Sequence, residues 1–175
     1  MRRLSYVHVI VSGLIFLSFM IFVLPSEASK SADLGLEDSP DTSFFYTKDE
    51  LYLIADSYGE EGRAFYVHQR YTFDVIWPIA YGLFLTLGLA YVVKDHKNLW
   101  MRRVYTLPIA AVFIDYLENI MTATVMYRFP RETIIFSNLA GFVTSLKWIS
   151  LSLSFVLFIV LFVIFTIHKI KERRA

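Results

Sequence analysis

Asp115, Glu118 and Asn119 lie three and four residues apart in Phe113-Ile114-Asp115-Tyr116-Leu117-Glu118-Asn119, inside a stretch from Val104 to Tyr127 that is otherwise apolar. With Thr122 they fall at i, i+3, i+4 and i+7, which is one face of a helix. Two carboxyls at this spacing are close enough to interact and to share a proton. Such a pair suits general acid/base chemistry, a proton relay or recognition of a cation, so Asp115 and Glu118 are the catalytic candidates. A second stripe, Asp74, Trp77, Pro78 and Tyr81, repeats the same spacing. A third holds Thr144, Lys147, Ser150 and Ser154. A charge at bilayer depth costs about 2.5–3.5 kcal/mol on insertion scales, so each needs a partner, water or a task.

The expected ligand-contacting set is therefore Asp74, Trp77, Tyr81, Asp115, Glu118, Asn119 and Lys147, lining one outward-opening cavity. Lys147 is expected to pair with Glu118 or Asp115, and Arg70 offers Asp74 a partner four residues away. Pro78 removes a backbone donor and is expected to kink its helix. Cysteine is absent, which removes disulfides, thiol catalysis and thiolate metal sites. The four histidines are too scattered to form a ligand set, so neither a metal nor a cofactor is expected.

The elements that position these residues follow from hydropathy. Of 175 residues, 56% are hydrophobic and 17% aromatic, while 19% are charged. A soluble domain carries about 25% charged residues. Four apolar runs, 7–24, 73–93, 104–127 and 134–167, reach or approach the roughly 20 residues that span a bilayer. The expected fold is an all-α integral membrane four-helix bundle with an external amphipathic helix. Helix 1 covers residues 1–24, an external acidic loop 25–71, and helices 2–4 about 72–93, 104–127 and 134–168, followed by a basic tail. The last run exceeds the bilayer and must tilt or project. Met1-Arg2-Arg3, the first apolar run and Ser26-Glu27-Ala28 have the layout of a signal peptide. At 18 residues, however, that run is longer than a signal core, which favours a retained helix.

Lys and Arg are unevenly distributed. Ten lie at the start, in the 94–103 loop and in the tail, against six on the other side spread over much more chain. By the positive-inside rule both termini are expected in the cytoplasm of a bacterial plasma membrane. The 25–71 loop has ten acids and four bases, so the outer surface is acidic. The basic flanks lack interleaved stacking aromatics and are read as contacts for anionic head groups, with no nucleic-acid partner. Residues 25–43 have no periodicity and read as a solvated linker. Thr47 with Glu50 forms a capping-box pattern, and Leu51, Ile54, Ala55 and Tyr58 recur at helical spacing. These features predict an amphipathic helix near 48–58, lying over the mouth of the pocket.

This layout of four spans, cytosolic ends, a long first loop containing a helix, acids within the spans and a basic tail resembles the EXPERA group, which includes emopamil-binding protein and the sigma-2 receptor. The likeness is architectural and carries over no individual residues. It implies a lipid-like or sterol-like ligand. Three readings stand at this point: binding or sensing of a membrane lipid or amphipathic small molecule, acid/base catalysis on a lipid, and an accessory subunit whose buried charges serve a membrane-protein partner or a homo-oligomer.

Overall fold

The computed structural model describes residues 4–36 and 39–174. The chain is all helical, with four segments long and apolar enough to cross a membrane. The first segment consists of α1 (Tyr6–Ser18), a π-helical turn (Phe19–Val23) and α2 (Leu24–Asp33). Pro25 explains the turn. It lacks an N–H and its ring crowds the carbonyl four residues back, and the adjacent Leu24 N–H instead reaches back five residues to the Phe19 carbonyl. Next come α3 (Lys48–Ser57), α4 (Gly59–Tyr71), α5 (Phe73–Val92), α6 (Thr106–Arg128) and α7 (Ile134–Arg174). The 41 residues of α7 correspond to about 60 Å, twice the hydrocarbon thickness, so it extends well past the bundle.

The helices α5, α6 and α7 pack on one another, and α1 packs on α5. Phe16 stacks on Trp77 and Phe84 at centroid distances of 5.8 and 5.2 Å. Farther along, Phe84 meets Phe158 and Tyr91 meets Phe165 edge-on. Large apolar side chains such as Phe22, Phe113, Phe142 and Ile159 point outward. Exposed apolar area on this scale exceeds what a soluble monomer carries and suits lipid.

Residues 39–72 cap one end of the bundle. Thr47 and Glu50 form the reciprocal capping box that starts α3. Its Leu51 and Ala55 are fully buried with Tyr46, Tyr66, Val125 and Met126. Tyr52 accepts the Thr133 N–H at 2.7 Å and Lys48 pairs with Glu132 at 2.7 Å, so α3 is pinned to the α6–α7 turn. Gly59, at φ +61°, lets the chain turn directly from α3 into α4. The Tyr46 carbonyl lies against Gly141 so closely that any Cβ there would overlap it.

Two expectations are corrected. Residues 25–33 of the expected linker are helical. A helix leaving the membrane needs no new nucleus, because extension costs far less than initiation. Glu27 and Lys30 pair across one turn at 2.6 Å, which supports the extension. Second, α3 packs on α6 and α7, and of the expected 48–58 helix only Tyr58, at its C-terminal end, reaches the cavity described below. Pro78 sits inside a continuous α5; the break in the chain falls at Thr72 (φ −119°, ψ −82°), between α4 and α5.

Candidate functional site

The Thr72 break brings Arg70, in the last turn of α4, beside Asp74, in the first turn of α5, at 3.1 Å. A guanidinium has five donors, more than one carboxylate can satisfy. Arg70 also donates to Asp41 Oδ2 at 2.5 Å and to Asn119 Oδ1 at 3.2 Å, and lies 4.3 Å over the Tyr66 ring. The Tyr66 hydroxyl donates to Asp41 Oδ1 at 2.9 Å. Burial alone would raise the Asp41 pKa, but the charges of Arg70 and Lys147 and these two hydrogen bonds outweigh it and hold the carboxyl below its usual value.

Deeper in the bundle, Asp115 accepts from the Tyr81 hydroxyl at 2.8 Å and from Asn119 Nδ2 at 3.1 Å. Asn119 thus joins the outer pair to the inner carboxylate. The proline explains one further contact. Pro78 supplies no N–H to the Asp74 carbonyl, four residues back. Asn119 Nδ2 lies 3.5 Å from that carbonyl, and the Tyr116 hydroxyl donates to the neighbouring Val75 carbonyl at 2.7 Å. A side chain of α6 therefore lies beside the carbonyl that Pro78 leaves open, which is how a membrane helix tolerates proline.

Of the two carboxylates expected to meet Lys147, Glu118 is the one in direct contact. The other Glu118 oxygen is 2.5 Å from the Thr144 hydroxyl, which lies 3.0 Å from the Tyr46 hydroxyl. A threonine hydroxyl has one proton, so with the carboxylate accepting it, Tyr46 contributes its own proton to Thr144. Lys147 also lies 5.2 Å over the Trp148 ring. Altogether Asp41, Asp74, Asp115 and Glu118 face Arg70 and Lys147 within one buried assembly.

A cavity of about 440 Å³ adjoins the outer part of this assembly. Its polar wall includes Asp41, Gln69, Arg70 and Asp74, and its apolar wall Leu24, Leu36, Tyr58, Tyr66 and Phe73. One side is α2. Gln69 Nε2 donates to Glu27 at 3.2 Å, and the Ser31 hydroxyl is 3.4 Å from Gln69 Oε1. These two bonds tie α2 to α4.

Of the seven residues expected to line one cavity, Asp74 alone lines this one. Tyr81, Asp115, Glu118, Asn119 and Lys147 converge as expected but bond to one another behind it, because buried polar groups satisfy each other wherever geometry allows. Trp77 faces α1, stacked between Phe16 and Phe73, with only its edge toward Tyr81. Sequence reasoning missed Asp41, Tyr66 and Gln69. The surplus donors of Arg70 were the available signal for Asp41, whose neighbourhood read as solvated linker. Tyr46, just before α3, is buried as well.

Fold and site define a multi-pass helical membrane protein with a charged, hydrogen-bonded core and a cavity at the capped end of its bundle. No family model, curated protein or solved structure matches the chain.

Proposed function

We propose that the protein binds or senses a lipid-like or amphipathic molecule in the cavity between α2, α4 and α5, with both termini in the cytoplasm and the cavity opening outward. The observation that carries this reading is the pairing of a charged wall with an apolar one around about 440 Å³, within the range of small-molecule sites. A polar head would meet Asp41, Gln69, Arg70 and Asp74, and a tail would meet Leu24, Leu36 and Phe73. Arg70 Nε is buried and has no hydrogen-bond partner among the described residues. The asymmetry of Lys and Arg supports the orientation. A cysteine at Ser31 is expected to react with an impermeant thiol reagent from outside, and one at Lys97 is not.

The test is native mass spectrometry after gentle extraction. A bound lipid or amphiphile is expected in the parent protein and is expected to be lost on Gln69→Leu or Phe73→Ala, with the fold retained by thermal melting. A protein that carries no small molecule but a stoichiometric protein partner would replace this reading with that of an accessory subunit.

A further inference from the structure

At the opposite end of the bundle, the loop between α5 and α6 forms a second concavity, of about 210 Å³. Lys94, Arg102 and Arg103 line it with Tyr105, over a floor of Ala90 and Val93. We propose that this cleft binds the phosphodiester head group of an anionic phospholipid.

Three observations converge. Among the described residues, none of the three cations has a carboxylate partner within ion-pair distance, unlike the buried Arg70 and Lys147. The nearest structural use of any of them is Lys94 over the Tyr91 ring at 4.2 Å. Second, Tyr105 is the cap of the 23-residue α6, whose first turn contains no acidic residue. The positive end of that helix adds to the field of the three cations. Third, the cleft belongs to a short loop joining two membrane-crossing helices, and Leu99 and Trp100 on this loop are exposed. A tryptophan with free apolar surface there suits the depth of the head groups. A phosphate oxygen at the cleft would meet the guanidinium pair and Lys94, while the glycerol backbone would run along Leu99 toward the bilayer. A free phosphate shares the first contacts but makes no use of Leu99 or Trp100.

The experiment is native mass spectrometry of the protein in detergent, titrated separately with phosphatidylglycerol, phosphatidylcholine and inorganic phosphate. Each basic residue at a membrane surface is worth about fivefold in affinity for anionic lipid. Combined Lys94→Gln, Arg102→Gln and Arg103→Gln is therefore expected to weaken phosphatidylglycerol binding on the order of a hundredfold. Lys97→Gln removes the same charge from the same loop but outside the cleft, and is expected to weaken binding clearly less than Arg102→Gln does. All four side chains are exposed, and an unchanged lipid-free melting temperature checks the fold. Phosphatidylcholine binding as tight as phosphatidylglycerol, a loss from Lys97→Gln equal to that from Arg102→Gln, or inorganic phosphate binding as tightly as the lipid would each overturn the proposal.

Discussion

Replacing Lys147 by methionine removes the only cation that contacts Glu118 among the described residues. One Glu118 oxygen keeps Thr144 at 2.5 Å, and the other loses its ion pair in a site with almost no solvent. Breaking a buried pair from one side costs about 3–5 kcal/mol, because the remaining charge is uncompensated. For a chain of this length each kcal/mol moves the midpoint by roughly 2–4 °C, so Lys147→Met is expected to lower the melting temperature in detergent by roughly 6–20 °C. Adding Glu118→Gln removes the orphaned charge while its carbonyl can still accept from Thr144. That double variant is expected to recover at least half the loss. Adding Asp115→Asn instead is expected to recover less, since Asp115 bonds to Tyr81 and Asn119 rather than to Lys147. A Lys147→Met protein as stable as the parent, or a Glu118→Gln double variant worse than either single one, would refute the assignment of this pair as a mutually dependent unit.

Tyr116→Phe should cost about 1 kcal/mol by leaving the Val75 carbonyl without its side-chain donor; an unchanged melt would contradict the role given to Tyr116. Gly141→Ala should destabilise by about 1–3 kcal/mol and expose residues 34–58 to protease, because the obstacle is the Tyr46 backbone, which cannot rotate away; an unchanged melt and cleavage pattern would contradict the close approach. The Asp41 carboxyl is held below its ordinary value of 3.8, so its contribution is full above that pH and is lost as pH falls through the lower folded value. Acid melts should accordingly become less steep below pH 3.8 in Asp41→Asn, and parallel profiles for parent and variant would exclude this carboxylate as a source of the acid sensitivity.

The membrane class, the four long helices and the α3 cap were legible from the sequence because each depends on local order: twenty apolar residues at 1.5 Å per residue, or Thr47 three residues before Glu50. The stripes holding Asp115, Glu118 and Asn119 were legible for the same reason, since helical spacing fixes which residues share a face. Which partner each would find was not. Glu118 and Asp115 differ by less than one helical turn, and only the relative rotation and height of α6 and α7 give Lys147 to the first and Tyr81 to the second. Asp41 reaches Arg70 across 29 residues, and Tyr46 reaches Thr144 across 98, through a segment with no periodic signal. Local spacing carries no information about contacts of that separation. The same limit moved the cavity. Polar stripes suggested a pocket inside the bundle, but side chains that can satisfy one another close such a space, and the opening remained at the capped end, where α2 meets α4 through Gln69 and little else closes the gap.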